Sequence, residues 1–532
     1  MINVQNGKNI STPQKAHVCI IGSGPAGITA AYELSKAGLD VLLLDGGRQL
    51  NYSGQYYPQS WNDKVRFYNG LADGLFSNES QFLILGYDQR TANFPIERER
   101  VYGGTSTHWG GQNRPLDPIA FKKRQGFPGW PITREDLDPY YAKASALNHL
   151  FGDYGTNSKD YGKNFTAEFW VDEMKKQGLQ AAIPQLTNFN TEMYQFMSGQ
   201  WLNFATRTFD GKTIDSYVRV IVNATLLNIV EQGGSVQYLN VASMNDDQTN
   251  PQKATEFTVT ADVYILALGS VENARQLLLS GVGNDLVGHY FGCHPLSQWD
   301  IITPKQTYLS QAESNLAWGT GWQDPTGNIN GIQARFIMDE ATATEKGIGR
   351  CWFWAPNPQA PSQPSRMYFE MAPNYNSYVT LLTKDPDPPV RRVGPSPPAK
   401  YTDPVFGQPL THIHWEFTDL DRLTYKTNCE LFDQAAASKF SSIISWPDWE
   451  TLINEWTVNG HHIGTTRMSA STEPAEGVVD QNLKIHGIDN MYVAGASVFC
   501  GTGLSNPTMT IITLSIRLGE YLKNEVFKTS TS

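Results

Sequence analysis

Residues His17 to Gly47 read HVCIIGSGPAGITAAYELSKAGLDVLLLDGG, and this stretch decides the fold. The apolar run His17 to Ile21 is typical of a buried parallel strand, and Val41 to Leu44 predicts a second one. Between them the pattern predicts a helix from about Ala26 to Lys36. A strand, a helix and a second strand in so short a stretch indicate one βαβ unit of a parallel sheet.

Three glycines stand in the turn between the first strand and the helix, Gly22, Gly24 and Gly27 of a G-x-G-x-x-G pattern. Gly22 allows the tight turn, Gly24 lets a pyrophosphate approach the backbone, and Gly27 lets the helix pack closely on the strand. The N-terminus of the helix then faces the phosphates. Asp45, directly after the second strand, is placed to accept hydrogen bonds from a ribose hydroxyl pair. The stretch therefore predicts a dinucleotide site, and by itself it leaves NAD and FAD open.

Charge and cysteine content narrow the class of protein. The formal net charge is -11 and no basic run occurs, which argues against nucleic acid or an anionic membrane surface as a partner. The five cysteines include no C-x-x-C pair, so we expect reduced, mostly buried thiols rather than a disulfide framework or a zinc site.

The length of 532 residues predicts two closely connected domains. The N-terminal residues MINVQNGKNISTPQKA are polar and lack the apolar core of a signal peptide, and no apolar run reaches membrane-spanning length. We therefore expect a cytoplasmic protein without a membrane span, and export together with a partner subunit stays open.

A second glycine-rich stretch, Val101 to Gln112, reads VYGGTSTHWGGQ, and its glycines let the backbone approach a flat ligand closely. Together with the first stretch it resembles the glucose-methanol-choline (GMC) oxidoreductases, FAD enzymes that oxidise alcohols. Gly129 to Tyr141 is similar to a segment of the pyranose-oxidase and bacterial sugar-dehydrogenase branch of that family. Asp262 to Leu279 and Val287 to Pro295 resemble two later segments of the family.

The resemblance implies an α/β fold, with a Rossmann-like FAD-binding domain and a second, α+β substrate domain built on an antiparallel sheet. The FAD-binding domain would be discontinuous and comprise residues 1–141, 208–294 and 457–532. The substrate domain would comprise residues 142–207 and 295–456.

Alternating apolar residues predict further strands. Val218 to Ile229 and Ser235 to Val241 flank a Gly-Gly pair as a hairpin would, and we expect them to form a small sheet beside the cofactor with Phe257 to Val259. Tyr378 to Thr383 and Thr411 to Phe417 read as strands of the substrate domain.

The C-terminal segment His461 to Leu522 is the closest match to the family. The family's H-x-x-G-T histidine acts as base near the flavin N5, and His461 occupies that position, three residues before Gly464. His462 is the alternative base. The second catalytic position of the family falls on Asn506, for which capping of the last helix is a structural alternative that can hold at the same time.

The resemblance also indicates which other residues lie beside FAD. A buried strand, Met491 to Ala494, would deliver two of them, and an amphipathic helix, Thr508 to Lys523, would point its N-terminus at the flavin carbonyl. In some members of the family the histidine at the position of His108 bonds covalently to the flavin, and for this chain both a covalent bond and simple packing beside the ring stay open. The cofactor-binding residues implied beyond the first stretch are Gly104, Ser106, His108, Trp109, Gly269, Gly495, Ala496 and Thr508.

His412 and His414 lie on one face of a predicted strand, but two ligands without a third do not make a metal site, so no metal is expected.

The resemblance implies a small-molecule substrate, oxidised at a hydroxyl group of a sugar, glycoside, polyol or related alcohol by hydride transfer to flavin N5. Two other functions stay open: a redox-neutral lyase on the same fold, and a flavoprotein that acts as a binding subunit. The presence of His461 and Asn506 argues against the binding subunit. Oxygen, a quinone and a cytochrome subunit all stay open as the electron acceptor.

Overall fold

The computed structural model describes residues 4–47, 82–86, 100–107, 109–150, 162–176, 185–197, 202–244, 253–299, 329–354, 365–382, 406–437, 446–455, 457–458 and 460–528. None of the helices among them is both long and apolar enough to cross a membrane.

The described residues form the following strands and α-helices. The strands are β1 (Gln5–Asn6), β2 (Gln14–Ile21), β3 (Val41–Leu44), β4 (Phe82–Gly86), β5 (Gln112–Asn113), β6 (Phe189–Met197), β7 (Arg219–Val222), β8 (Thr225–Gln232), β9 (Ser235–Met244), β10 (Lys253–Leu266), β11 (Pro295–Trp299), β12 (Ile329–Met338), β13 (Cys351–Trp354), β14 (Ser365–Phe369), β15 (Tyr378–Leu382), β16 (Leu410–Trp415), β17 (Thr457–Val458) and β18 (Met491–Val493). The α-helices are α1 (Pro25–Ser35), α2 (Arg134–Leu147), α3 (Ala167–Lys176), α4 (Ser270–Ser280), α5 (Glu340–Lys346), α6 (Asp419–Ala436), α7 (Trp449–Glu455) and α8 (Thr508–Tyr521).

The first sheet has the strand order β1-β7-β3-β2-β10-β9-β8, with β18 also paired to β10. The predicted βαβ unit is present as β2, α1 and β3, and β2 lies between β3 and β10 in parallel register. Both neighbours of β2 are parallel to it and its residues from Val18 to Ile21 are fully buried, as the continuous apolar run predicts. The carboxyl ends of β2, β10 and β18 therefore meet at one edge of this sheet.

The hairpin expected around the Gly233-Gly234 pair is present as β8 and β9, but its predicted first strand, Val218 to Ile229, is divided into β7 and β8. The chain breaks at Asn223, whose φ of 53° is left-handed, so β7 pairs in parallel with β3 while β8 pairs antiparallel with β9. No separate small sheet forms from these strands, because β10 is long enough to pair with β9 through its first half and with β2 through its second. The three predicted strands therefore pair with one another as expected, as one side of the larger first sheet rather than as a small sheet of their own.

The second sheet is antiparallel, in the order β17-β11-β14-β13-β12-β6-β5. Side chains alternate between its two faces. One face is apolar and packs on α6, where Phe353 of β13 stacks on Phe432 at a ring distance of 4.1 Å. The opposite face carries Tyr194, Arg335 and Trp352, and it is the face that bears on the functional site.

Two strands of the second sheet lie in segments that were assigned to the FAD-binding domain from the sequence. β5 lies in the segment 1–141 and β17 in the segment 457–532, yet both are strands of the second sheet. Backbone pairing explains why β5 belongs to the second sheet. It pairs with β6, and just before it the Gly111 carbonyl accepts a hydrogen bond from the Met197 amide at 2.9 Å. The expected strands Tyr378 to Thr383 and Thr411 to Phe417 correspond to β15 and β16, which form a third, three-stranded sheet with β4.

Helix α8 is buried on most of its surface rather than on one stripe, so the amphipathic pattern expected for it was wrong. The reason is that α8 lies between α1 and α2. Against α2, the Tyr141 and Thr510 hydroxyls are 2.8 Å apart. Against α1, Gly519 lies so close to Glu33 that a Cβ on Gly519 would be 2.6 Å from the Glu33 Cβ. The helix that follows Asn506 is thus locked to the helix of the glycine-rich turn.

We expect Gly519→Ala to lower the free energy of unfolding by about 1–3 kcal/mol, because the added methyl group forces α1 and α8 apart. The change is measured as the midpoint of chemical denaturation of the cofactor-bound protein. Gly162→Ala is the matched control, because nothing lies within 4 Å of a Cβ there. Equal stability of the two variants would contradict the close packing of the two helices.

Candidate functional site

The three glycines of the first turn have different surroundings. Gly22 has a φ of 105°, and a Cβ on it would lie 2.4 Å from the carbonyl oxygen of Ala267. A Cβ on Gly27 would lie 1.9 Å from the carbonyl oxygen of Gly22, so α1 packs directly on the turn. Gly24, in contrast, has nothing within 4 Å of a Cβ position. Two of the glycines are required by packing, and the third faces open space at the N-terminus of α1, which favours a bound phosphate.

The Asp45 carboxylate ties the end of β3 to this turn. Its Oδ2 accepts hydrogen bonds from the Ser23 amide at 2.9 Å and from the Ser23 hydroxyl at 2.5 Å, and its Oδ1 accepts from the Gly47 amide at 2.7 Å. Burial raises the pKa of Asp45, and these hydrogen bonds oppose the rise. Since a carboxylate oxygen has two acceptor positions, Oδ1 keeps one for a further donor such as a ribose hydroxyl.

The second glycine-rich stretch lies on top of the first turn. The Gly103 amide donates to the Ser23 hydroxyl at 3.0 Å, and a Cβ on Gly104 would lie 3.0 Å from the Cα of Gly24. Gly104 has a φ of 54°, the left-handed region that favours glycine. The two stretches, which are far apart in sequence, therefore form one wall of the site.

Ser106 and Trp109 are held by the chain that follows β6. The Ser106 hydroxyl accepts from the Phe204 amide at 3.0 Å, and the indole N–H of Trp109 donates to the Leu202 carbonyl at 2.8 Å. Both side chains therefore hold the second glycine-rich stretch against the segment that follows β6. His108 lies outside the described residues, so its predicted contact with the flavin stays a prediction.

Two further glycines open onto the same edge of the first sheet. Gly269 follows β10 with a φ of 81° and Gly495 follows β18 with a φ of 118°, and neither has an atom within 4 Å of a Cβ position. Ala496 comes next, and its carbonyl accepts from the Gly464 amide at 3.2 Å. Thr508 is the first residue of α8. Gly24, Gly269 and Gly495 together leave an open groove along the carboxyl edge, where ligands of open α/β sheets bind.

Beyond this groove two histidines meet because of a short antiparallel pairing. Gly292 and Ile463 exchange both main-chain hydrogen bonds, at 3.2 and 2.9 Å. In an antiparallel pair, the residue two positions after Gly292 faces the residue two positions before Ile463. His294 and His461 therefore lie opposite each other on one side. Their Nδ1 atoms are 2.9 Å apart, and their rings are nearly perpendicular at 88°.

The contacts of His294 determine where the protons of this pair lie. Its Nε2 is 3.1 Å from the Thr502 carbonyl oxygen and 2.8 Å from that of Gly503, and two acceptors require a hydrogen on that nitrogen. In neutral His294 the Nδ1 is then an acceptor, so the hydrogen between the two rings belongs to His461 Nδ1. This leaves the lone pair of His461 on Nε2, which faces the side-chain amide of Asn506 at 3.4 Å.

Both histidines are held neutral. Burial lowers the pKa of His294. Burial also lowers the pKa of His461 well below its ordinary value, and repulsion from His294, His462 and Arg335 lowers it further. At neutral pH the His461 ring is therefore a neutral imidazole, with a hydrogen on Nδ1 and an available lone pair on Nε2.

His462 points away from this pair. Its side chain is buried, its ring lies 5.7 Å from the ring of Phe291, and its carbonyl oxygen accepts a hydrogen bond from the Ser270 hydroxyl at 2.5 Å. Of the two adjacent histidines, His461 is the one that contacts Asn506.

Asn506 contacts His461 and makes no cap on α8. The N-cap position of that helix is Pro507, with no side-chain cap hydrogen bond. The Asn506 Nδ2 faces His461, and its Oδ1 is buried with no hydrogen-bond partner among the described residues. A buried amide oxygen without a partner is costly, which indicates that a ligand completes it.

A buried ion cluster clamps the chain just before Asn506. The Arg114 guanidinium donates to the Ser505 hydroxyl at 2.8 Å, and that hydroxyl donates to the Pro115 carbonyl at 2.6 Å. Asp117 pairs with both Arg114 and Arg350, which hold its pKa down to about 2 although burial opposes this. Because Arg350 immediately precedes β13, the cluster fixes the position of Asn506 relative to the second sheet.

The second sheet covers this site with aromatic side chains. The Tyr194 hydroxyl donates to the Leu504 carbonyl at 3.0 Å. Tyr368 stacks on His294 at a ring distance of 5.9 Å, lies 6.1 Å from the His461 ring, and contacts Trp352 at 4.2 Å. The site therefore has a groove of glycines on one side and a wall of rings on the other.

The structure also places residues here that the sequence did not single out. His294 stood inside a segment that resembles the family, as the middle residue of Cys-His-Pro, but its spacing of 167 positions from His461 carries no local signal. Arg335 lies in an ordinary strand pattern. The pairing of Gly292 with Ile463 brings His294 to the site, and the alternation of side chains along β12 places Arg335 on the face that bears on it.

Of the two histidines on the predicted strand, the structure describes the side chain of His414 alone. The His414 Nε2 lies 2.5 Å from the Glu416 carboxylate, and the side chain of His412 is outside the description. Over the described part of the chain no group of three or more His, Cys, Asp or Glu side chains is arranged to hold a metal. All five cysteines are buried and free, as predicted.

The sequence is similar to two protein families and to several characterised proteins. A family profile described as GMC oxidoreductase matches residues 403–515, and one described as FAD dependent oxidoreductase matches residues 17–57. The fructose dehydrogenase large subunit of Gluconobacter japonicus is 22% identical, over 96% of this chain and 98% of its own. The gluconate 2-dehydrogenase flavoprotein of Pantoea cypripedii is also 22% identical, over 97% and 94%.

Solved structures share the fold. A formate oxidase of Aspergillus oryzae superposes with a TM-score of 0.56 at 15% identity, over 96% of this chain and 98% of the other. An FAD-dependent oxidoreductase of Chaetomium thermophilum gives a TM-score of 0.59 at 13% identity, over 96% and 100%.

The two profiles match the two ends of the chain that meet at the carboxyl edge of the first sheet. The glycine turn lies in one of them and the His461 segment in the other. The relatives extend over nearly the whole chain, so the resemblance is not confined to the two matched stretches. The chain is therefore an FAD-dependent oxidoreductase whose C-terminal part matches the GMC oxidoreductases.

Proposed function

We propose that the protein oxidises a hydroxyl group of a sugar, glycoside, polyol or related alcohol. The observation that carries this proposal is the lone pair on His461 Nε2 beside the Asn506 amide, in a buried site next to the glycine groove. The names of three relatives support it, since fructose dehydrogenase, gluconate 2-dehydrogenase and 2-methyl-1,2-propanediol dehydrogenase all act on hydroxylated compounds by name.

The residues present fit FAD, because Gly24, Gly269 and Gly495 leave open space where a flat cofactor would lie. In this proposal the turn that contains Gly24 holds the pyrophosphate and Asp45 Oδ1 accepts from the ribose. When bound, FAD supplies the acceptor for the hydride that leaves the substrate carbon.

The proposed role of His461 is to take the proton of the substrate hydroxyl on Nε2. Neutral imidazole is suited to this, because its low pKa keeps the nitrogen unprotonated at neutral pH. Asn506 would hold the hydroxyl oxygen through its amide and so fix the angle at which the carbon presents its hydrogen. The hydrogen bond from His461 Nδ1 to His294 keeps the ring from turning during the transfer.

The route of the proton follows from the same contacts. His294 Nδ1 already accepts from His461, and its N–H is bound to two carbonyls, so it cannot take the proton away. The proton taken by His461 therefore leaves from Nε2, on the side of the substrate. The positive charge that forms on His461 stays beside the site for as long as the product is bound.

We expect anaerobic mixing with a panel of sugars, glycosides and polyols to bleach the flavin absorbance with at least one of them. The measurement is the visible spectrum of the purified holoenzyme, with dithionite as the reference for full reduction. A redox-neutral lyase or a binding subunit would leave the flavin oxidised with every compound. If dithionite bleaches the flavin and no hydroxyl compound does, the proposal is wrong.

We expect His461→Ala to slow flavin reduction by roughly 10²- to 10⁴-fold, the usual effect of removing a general base. FAD should stay bound, because His461 is not part of the glycine groove. The measurement is anaerobic stopped-flow absorbance with a substrate found in the panel.

His462→Ala is the matched control for this variant, because the adjacent ring packs on Phe291 and does not contact Asn506. It should reduce its flavin at nearly the rate of the unmodified protein. The reverse outcome, a slow His462→Ala and a normal His461→Ala, would show that the adjacent histidine is the base.

We expect His294→Ala to slow flavin reduction by roughly 10- to 100-fold, because His461 loses the acceptor that orients it. The measurement is the pH profile of the reduction rate. His294→Asn should restore much of the rate, since its Oδ1 can accept from His461 Nδ1, and the same loss in both variants would contradict the orienting role.

A further inference from the structure

Thr502 is a buried residue with three separate contacts around the histidine pair. Its carbonyl oxygen accepts from His294 Nε2 at 3.1 Å. Its hydroxyl accepts a hydrogen bond from the Met371 amide at 2.9 Å. Its methyl carbon Cγ2 lies 3.5 Å from the Cβ position of Gly292, the residue whose pairing with Ile463 brings the two histidines together. This one residue therefore links the histidine pair to the chain that follows β14.

The Met371 amide is a fixed point, because the chain is held on both sides of it. Just before it, the Glu370 amide donates to the Arg350 carbonyl at 2.8 Å. Just after it, the Ala372 amide donates at 2.8 Å to Oδ1 of Asp421, a buried residue in the first turn of α6. The bond from Met371 therefore ties Thr502 to the second sheet and to α6.

The Thr502 carbonyl is one of two acceptors of the His294 N–H, and Gly503 provides the other at 2.8 Å. Gly503 has a φ of 55°, and a Cβ on it would lie 2.6 Å from the side chain of Leu116, so packing determines its backbone. Loss of the Thr502 hydroxyl would leave the Met371 amide buried without this acceptor, which is costly enough to make the chain shift. A shift that moves the Thr502 carbonyl away weakens the preference for a hydrogen on His294 Nε2.

Three residues later, Ser505 has different contacts. Its hydroxyl accepts from the Arg114 guanidinium and donates to the Pro115 carbonyl, so it is tied to the Asp117 ion cluster. Between Thr502 and Ser505, the Leu504 carbonyl accepts from the Tyr194 hydroxyl at 3.0 Å. Thr502 is thus bonded beside the histidine pair and Ser505 beside Asn506, with a third fixed point between them.

We propose that Thr502 is a positioning residue. Its hydroxyl fixes the carbonyl that places the hydrogen on His294 Nε2, and this keeps the lone pair of His461 on Nε2. Ser505 positions Asn506 and acts separately. The kinetic consequence of this inference rests on the proposed function, whereas the proton positions can be observed without a substrate.

The first experiment needs no substrate. The unmodified holoenzyme and Thr502→Val, both labelled with ¹⁵N at histidine, are compared by NMR at neutral pH, and the signals of His461 are assigned by their absence in His461→Ala. Valine has nearly the shape of threonine and lacks the hydroxyl. We expect the His461 Nε2 signal of an unprotonated nitrogen in the unmodified protein, and a shift toward the protonated form in Thr502→Val. An unchanged signal in Thr502→Val would overturn the inference.

Thr424→Val is the matched control. The Thr424 hydroxyl also accepts from a buried amide, that of Gly349, at 2.9 Å, but Thr424 belongs to α6, which packs on the opposite face of the second sheet. This variant should lose a hydrogen bond of the same kind and keep the His461 signal of the unmodified protein. Equal shifts in Thr424→Val and Thr502→Val would mean that any lost buried hydrogen bond loosens the site, and the specific role of Thr502 would be wrong.

The second experiment separates Thr502 from Ser505 by anaerobic flavin reduction with a substrate found in the panel. Thr502→Val should lower the limiting rate by roughly 3- to 30-fold with a nearly unchanged dissociation constant of the substrate, because the base is displaced while the substrate contacts remain. Ser505→Ala should raise the dissociation constant, because Asn506 holds the substrate hydroxyl, and should leave the His461 NMR signal in place. The same kinetic pattern in both variants, or a shifted His461 signal in Ser505→Ala, would contradict the separate roles. If no hydroxyl compound reduces the flavin, the proposed function fails and the NMR comparison decides the inference.

A pair of smaller residues keeps the inference testable if Thr502→Val does not fold. Thr502→Ser and Thr502→Ala both lack the methyl group beside Gly292, and they differ from each other only in the hydroxyl. Thr502→Ser should keep the His461 signal and most of the reduction rate, whereas Thr502→Ala should lose both. Identical behaviour of the two variants would overturn the inference.

Discussion

The hydrogen bond between the Nδ1 atoms of His294 and His461 is the contact on which the rest of the site depends. It exists because Gly292 and Ile463 pair across two segments that are distant in the sequence. The two carbonyls behind His294 fix its tautomer, and through the bond they fix that of His461. The hydrogen on His294 Nε2 thus determines that the lone pair of His461 lies on its Nε2, beside Asn506. Burial supports this arrangement, since both rings are held neutral.

The two sheets contribute opposite surfaces to this site. The first ends its parallel strands in glycines, because only residues without a Cβ let a cofactor approach the backbone there. The second presents rings and the Arg335 guanidinium, and it is held in place by the Asp117 ion pairs. Breaking one partner of such a buried cluster is costly, so the cluster fixes the distance between the two surfaces.

The sequence was sufficient for the parts of the structure that rest on local patterns. The βαβ unit follows from the apolar runs, and the turn follows from the spacing of the glycines. Residues close together in the sequence determine both. His461 and Asn506 could be selected because motif residues surround each of them. His294 and Arg335 could not, because their roles arise from strand pairing over long separations. The predicted hairpin of β8 and β9 is present, but the sequence placed the start of its first strand too early, because the left-handed backbone of Asn223 divides a run that alternates as one strand would.

The function of His461 as a base depends on the proton positions in the histidine pair. Neutron diffraction from crystals of the oxidised holoenzyme, exchanged into deuterated buffer at neutral pH, would observe these positions directly. The hydrogen-bond contacts predict deuterium on His294 Nε2 and on His461 Nδ1, with none on His461 Nε2. Deuterium on His461 Nε2, with or without a second one on Nδ1, would mean that no lone pair faces Asn506, and the account of His461 as the base would be contradicted.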